Sequence, residues 1–482
     1  MRLGVIFENL GLILMIFSFT YILPVIVCVI FGELDKILFL YWLPALLSFF
    51  SGLTLWYIGG REITETIRDR EAFATVGLCW LVMAFFGSLP YAIYGMSFSD
   101  AYFESMAGFT TTGASVINNI EVVPKSLLFW RAETQWLGGM GIILLSVLIL
   151  SKIWGGGALF YRAEIAGHRI VRLRPKLKHT VIILWSIYLL FTIVETILLY
   201  LAGLSPFDAI THAFTTIATG GFSTRNGSIG AFGNGYVEFI IMVFMVLAGI
   251  NFFIHYNILK LNIRQVIKDS ELKFYLSILS IAVILLTLDL TIKSGLTPQN
   301  AFRYASFQAV SIMTTTGFST ANYAGWSSPA QIIILLLMFI GGCVGSTSGA
   351  IKIIRILLLL KMVNKGIKKI IRPKAVIPIT VGGKAIPDSV VVEVTTFFFL
   401  YILIFVIGAV LLGFMGMDMI TSISATATCI GNVGPGLGAV GPAFTYASVP
   451  IPGKILLMAL MWLGRLEIYA CLIILFPFSY RD

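Results

Sequence analysis

Ten stretches of about twenty predominantly apolar residues alternate with short polar segments along the chain, each long enough for an α-helix to cross a hydrocarbon core of ~30 Å. They fall near 9–31, 37–59, 72–95, 127–151, 180–202, 237–259, 274–294, 331–360, 390–414 and 453–478. The first has no basic leader beyond Arg2 and no small-x-small cleavage site, so it is expected to persist as a helix.

Four further stretches are too short to cross a membrane and too apolar to be free loops: "SFSDAYFESMAGF", "SPFDAITHAFTTI", "TPQNAFRYASFQAVSIM" and "GMDMITSISATATC". Three open like helix N-termini. Ser97 with Asp100, Ser205 with Asp208 and Thr297 with Asn300 have capping-box-like spacing, and Pro206 and Pro298 take the favoured first helical position. Asp100, Asp208 and Asp418 are therefore read as helix caps in preference to cation ligands. Each short helix leads into a polar turn: "GFTTTGAS" (108–115), "TIATGGFST" (216–224), "SIMTTTGFST" (311–320) and a degenerate "CIGNVGPGLG" (429–438). The central glycines Gly113, Gly221, Gly317 and Gly434 recur at roughly hundred-residue spacing, which marks an internal repeat. The expected architecture is an all-α polytopic membrane protein. Two extra transmembrane helices (1–60) precede four tandem units of span, half-helix, polar turn and span, over 61–179, 180–272, 273–388 and 389–482.

Composition agrees with the periodicity. Of 482 residues 58% are hydrophobic and 12% charged, and the mean hydropathy is +0.95, which excludes an ordinary soluble domain. The five cysteines lie in or beside apolar stretches without metal or redox spacing, so buried thiols are expected. The net charge of +10 raises nucleic acid as a partner, but its distribution decides against it. With both termini on one side, the loops 60–71, 152–179, 260–273 and 352–388 with Arg2 and Arg481 carry 25 of the 33 Lys and Arg. The positive-inside rule makes that side cytoplasmic, and so basic a surface suits anionic lipid or an acidic partner.

Irregular backbone inside a membrane is tolerated only where protein buries it or it lines a water-filled path. Four half-helices meeting at one axis satisfy this condition, and their negative dipole ends favour a cation there. The turns then supply a ring of oxygens able to replace a hydration shell, as in potassium-channel filters. The candidate ion-binding residues are Thr111, Thr112 and Gly113; Thr219, Gly220 and Gly221; Thr315, Thr316 and Gly317; and Asn432, Val433 and Gly434.

A second departure from apolar periodicity interrupts the eighth span, where "GGCVGSTSGAIK" places Gly341, Gly342, Gly345, Ser346, Thr347, Ser348 and Gly349. A continuous helix would carry about 1 kcal/mol of penalty per glycine, so a broken span is expected. Close packing of an unbroken helix through small residues is the alternative. Arg465 lies in the last span, where a cation needs a polar surrounding. Either it pairs with an acid such as Glu467, which falls on a different helix face, or it faces the pore. Asn251 and His255 share a face of the sixth span, as pore lining or as an interhelical hydrogen bond. Arg131, Glu133 and Gln135 near the outer end of the fourth span read as an outer-mouth ion pair or interface anchor.

"FWRAETQWLGGMGI" (129–142), "AGINFFIHY" (248–256), "GGCVGSTSGAIKIIR" (341–355) and "MWLGRLEIY" (461–469), in this order and together with the glycine turns, resemble the Trk/Ktr/HKT superfamily of potassium uptake proteins, and within it the TrkH type. The resemblance covers the whole chain. It implies a K+-translocating subunit of the plasma (inner) membrane, with filter glycines at Gly113, Gly221, Gly317 and Gly434. It also implies that the segment 341–349 acts as an intramembrane gate, with Arg465 projecting toward the pore below the filter. In plant relatives a serine at the first filter position accompanies sodium selectivity, so Gly113 leans toward potassium. The expected partners are a cytosolic nucleotide-binding regulator of the RCK/TrkA type, docked on basic loops such as 152–179, and a second copy of the chain in a homodimer. No organic cofactor is expected in this chain. Competing functions are Na+- or H+-coupled K+ symport, with Glu104 and the Asn251/His255 pair as candidate second sites, and an intramembrane serine protease using Ser348 with His255, which no motif supports.

Overall fold

The computed structural model describes residues 2–60, 69–152 and 174–475. Of the basic loops, 61–68 and 153–173 lie outside the described residues, and with them most of the stretch 152–179 expected to dock a regulator. Two N-terminal spans come first. Helix α1 (Leu3–Ser18) continues through one 3-10 turn into α2 (Ile22–Phe31), and α3 (Leu34–Ile58) returns beside it. Glycines let the two backbones touch: a Cβ added to Gly52 would lie 2.8 Å from the Gly11 carbonyl oxygen. Tyr21 then stacks on Trp130 of the first repeat at 4.6 Å, fastening the pair to the repeats.

The first repeat consists of α4 (Asp69–Tyr94), the short α5 (Phe98–Phe109) and α6 (Lys125–Lys152). The second has α7 (Arg174–Leu201), short α8 (Pro206–Ile217), and α9 (Gly235–Gly249) followed by α10 (Phe252–Leu259) and α11 (Ile263–Lys268). The third has α12 (Ser270–Lys293), short α13 (Pro298–Met313), α14 (Ser328–Leu337) and α15 (Ile353–Ile371), followed by a two-stranded antiparallel hairpin, β1 (Thr380–Val381) and β2 (Lys384–Ala385). The fourth has α16 (Asp388–Phe414), short α17 (Met419–Gly431), α18 (Ile451–Arg465) and α19 (Tyr469–Leu475). Among the described residues six helical spans are by themselves long and apolar enough to cross a membrane. Large aliphatic and aromatic side chains such as Ile16, Phe39, Ile197, Ile284 and Phe399 face outward, as a lipid-exposed surface requires.

The caps form as the sequence predicts. Ser97, Ser205 and Thr297 accept the backbone N–H of Asp100, Asp208 and Asn300, and Asp418 accepts that of Thr421. Asp100 also pairs with Lys454 at 2.6 Å, tying the first short helix to the fourth repeat.

The eighth span is broken as expected, with no helix between Leu337 and Ile353. The structure breaks two more that apolarity alone reads as continuous. The sixth bends by 102° between α9 and α10, and the last is interrupted after Arg465, where Glu467 and Ile468 adopt φ 57° and 60°. Each break has a tertiary cause. The Ala248 and Gly249 carbonyls freed by the first accept amide hydrogens from Thr347 and Cys343 in the eighth-span loop. Glu467 is turned toward Arg355, at 2.5 Å.

Candidate functional site

The four short helices end identically. Thr111, Thr219, Thr315 and Asn432 take left-handed backbone at φ 51°, 52°, 59° and 54°. The amide of the following residue, Thr112, Gly220, Thr316 or Val433, folds back onto the last helical turn, donating to the carbonyls of Ala107, Thr215, Ser311 and Thr428 at 2.8–2.9 Å. This is the Schellman closure, which usually has glycine at the left-handed position. Here β-branched threonine holds it three times, at a strain of about 1–3 kcal/mol each that the surrounding packing must offset. Asn432 thus occupies the place of the threonines, and the degenerate fourth copy is a true geometric equivalent.

Two residues on, Gly113, Gly221, Gly317 and Gly434 have φ 78°, 78°, 84° and 105°. What surrounds them closes the ring. A Cβ on Gly113 would collide with the Gly220 carbonyl oxygen, one on Gly221 with that of Thr316, and one on Gly317 with that of Val433. One on Gly434 would lie 2.7 Å from that of Thr112. Each glycine therefore abuts the middle residue of the next loop, first to second to third to fourth and back to first. All twelve residues singled out from sequence are brought together around one axis. A cavity of about 140 Å³ is bordered by all four glycines together with Ser115, Ser223 and Ser319.

Sequence reasoning missed most of the brace behind the ring. Gln135 donates to the Gly220 carbonyl at 2.7 Å and accepts the Phe222 amide at 3.1 Å. The Tyr446 hydroxyl donates to the Gly434 carbonyl at 2.7 Å, and Asn432 Nδ2 donates to Thr112 Oγ1 at 3.0 Å. Arg131 is buried with Glu104, donates to the Ser223 carbonyl at 3.2 Å and lies 4.1 Å from the Phe222 ring centre. Of the two readings offered for the stretch around Arg131, an ion pair forms, but it is buried and its partner is Glu104. Ser115, Ser223 and Ser319 stand two residues after their glycines, a regularity already visible in the aligned repeats.

The interrupted eighth span forms a loop directly against this ring. Ile340 and Ile351 pair as a parallel bridge at its stem, Val344 N–H donates to Glu271 at 2.7 Å, and Gly345 C=O accepts Phe252 N–H at 3.1 Å. At its far end Gly349 N–H donates to Thr315 Oγ1 at 2.7 Å, a direct bond between loop and ring. Arg465 is buried and donates to the Thr347 carbonyl at 2.8 Å, while Glu467 is engaged by Arg355 instead. The polar atoms Thr111 Oγ1, Ser348 Oγ, Asn432 Oδ1 and Arg465 Nε and Nη2 are buried without hydrogen-bond partners.

Other candidates are occupied elsewhere. Glu104 is held by Arg131, Ser115 and the Val116 amide, Asn251 caps α10, and His255 Nε2 bonds the Leu247 carbonyl at 2.8 Å. Neither Asn251 nor His255 reaches the ring. Ser348 Oγ makes no hydrogen bond to His255, so the nucleophile and base that a protease needs are not coupled. Among the described residues no group of three His, Cys, Asp or Glu could hold a metal ion.

Four short helices whose terminal turns close into one ring, among long apolar spans, define an all-helical polytopic membrane protein. The chain belongs to the TrkH family, described as cation transport protein, whose sequence profile matches residues 46–477. It is 39% identical over its whole length to the Trk system potassium uptake protein TrkH of Vibrio parahaemolyticus and 36% identical to that of Escherichia coli K12, each covered completely. The crystal structure of the potassium transporter TrkH from Vibrio parahaemolyticus superposes with a TM-score of 0.91 over 100% of both chains at 37% identity. These relatives are named as transporters.

Proposed function

We propose that this protein is the ion-conducting subunit of a potassium uptake system of the plasma membrane, with the four-glycine ring as selectivity filter and the loop 341–349 as gate. The observation that carries the proposal is the closed ring, in which each glycine abuts the carbonyl of the next loop, so that four turns define one aperture of fixed size. Backbone oxygens at such an aperture substitute for the hydration shell of one preferred cation. The names of the relatives make that cation potassium. Beneath the ring the loop obstructs the path, held by Thr315, Glu271 and Arg465. Opening then requires these bonds to break together, and a cytosolic nucleotide-binding regulator acting on the basic face is the expected trigger. The termini lie on that cytoplasmic side, and two copies assemble as a dimer with one pore each.

The test is uptake of rubidium, a potassium stand-in, into liposomes holding the purified protein, with potassium or sodium as competitor. Potassium should compete and sodium should not. Gly113→Ser should admit sodium, because its Cβ displaces the Gly220 carbonyl and opens the ring on that side. Equal competition by sodium in the unaltered protein would sink the potassium assignment.

A further inference from the structure

The second half of the broken eighth span, α15, differs from every other described span. It begins directly at the gate loop, with Lys352 at its N-cap. Its first turns are buried through Ile353, Ile354, Arg355 and Leu358, but from Gly366 to Lys374 every residue is exposed. At 19 residues it is about 28 Å long, and starting from within the membrane it reaches well past the boundary of one leaflet.

Its exposed part carries two parallel bands. Leu360, Val363, Ile367, Ile370 and Ile371 share one stripe at helical spacing and are 54–81% exposed, more than a water-facing helix end would leave uncovered. Beside it Lys361, Lys365, Lys368, Lys369 and Arg372 form a second stripe, continued by Lys374. No acidic residue occurs between Ile353 and Pro387. Lys361 bonds the Thr380 carbonyl and Lys365 pairs with Asp388, but Lys368, Lys369, Arg372 and Lys374 have no ion-pair partner among the described residues.

An aliphatic stripe flanked by an unneutralised basic band is the pattern of a helix seated at a membrane surface, its apolar side at the acyl boundary and its cations at the phosphates. We propose that the C-terminal half of α15 binds anionic phospholipid headgroups, through Lys368, Lys369, Arg372 and Lys374, and so anchors the stem of the gate loop to the bilayer. The aliphatic stripe favours lipid over an acidic protein, which the basic band alone would not distinguish. The consequence for ion flux rests on the gate assigned above; the binding itself does not.

The experiment uses the full chain in nanodiscs of phosphatidylcholine with phosphatidylglycerol, released for native mass spectrometry, with parallel rubidium flux in liposomes of the same lipids. The unaltered protein should retain phosphatidylglycerol preferentially. The triple variant Lys368→Gln, Lys369→Gln, Arg372→Gln should lose at least tenfold of that preference, since each cation near the surface contributes about fivefold. Neutralising Arg264, Lys268 and Lys273 on the basic loop 260–273, which is not joined to the gate loop, should lose clearly less of the preference than the α15 variant. A triple variant that keeps the preference overturns the proposal, as does an equal loss in the control. Preferential binding with flux indifferent to phosphatidylglycerol supports the lipid site and counts against the gate.

Discussion

Thr315→Val removes the one ring hydroxyl that, among the described residues, bonds the loop 341–349, the proposed gate. The Gly349 amide donates to Thr315 Oγ1 at 2.7 Å, with Thr315 fully buried. Valine keeps the β-branched shape that the backbone at φ 59° already accommodates, so the filter turn itself should persist. The docked loop then carries a buried N–H without acceptor, at a cost of about 1–3 kcal/mol. Water can satisfy that amide once the loop moves away, so the penalty falls on the closed arrangement alone. At 1.4 kcal/mol per tenfold, the undocked population rises by about 5-fold to about 150-fold. The assay is the initial rate of rubidium uptake into liposomes without any cytosolic regulator. The repeat supplies its own control: Thr111 occupies the equivalent place in the first loop at φ 51°, and its hydroxyl has no partner. Thr111→Val breaks no bond to the loop, so it should raise regulator-free uptake less than Thr315→Val does. If the two variants leak equally, or if Thr315→Val does not leak, the bond between ring and loop does not hold the gate.

Further outcomes are expected from the same geometry. Glu104→Gln leaves the Arg131 cation buried without its partner, so stability should fall by about 3–5 kcal/mol. Thermal melting in detergent should show the loss, and Glu104→Gln combined with Arg131→Met should recover part of it. Arg465→Gln weakens a charged hydrogen bond to the Thr347 carbonyl worth about 1.5–3 kcal/mol, so regulator-free uptake should rise about tenfold or more, with rubidium-over-sodium preference unchanged. Gly345→Ala forces alanine to φ 76° with its Cβ 2.9 Å from Asn251 Oδ1. It should lower melting stability by at least the ~1–2 kcal/mol of left-handed backbone and also loosen the gate, and wild-type melting would count against this close docking of loop and sixth span.

Much of the molecule was legible because the bilayer is a severe solvent. A chain that must satisfy every backbone group in hydrocarbon writes its spans as long apolar runs and its caps at their ends, and the interruptions at 108–115, 216–224, 311–320 and 341–349 stand out against them. The apolar spans, the helix caps, the recurring glycine turns and the broken eighth span all follow from that local code. Tertiary structure alone decided the rest. Nothing in "CIGNVGPG" says that the Asn432 side chain reaches Thr112 of the first loop, or that Tyr446 donates to the Gly434 carbonyl, because both bonds join segments distant in the chain. Nothing in "LAGINFF" breaks the sixth span until the Ala248 and Gly249 carbonyls find the amides of Thr347 and Cys343 some hundred residues away. Glu467 reads as a neighbour of Arg465, yet it pairs with Arg355 and the two charges part company. Burial in a membrane is a one-body property of each residue, and sequence carries it. Which freed backbone group meets which donor is a two-body property, fixed only when the four repeats close into a ring.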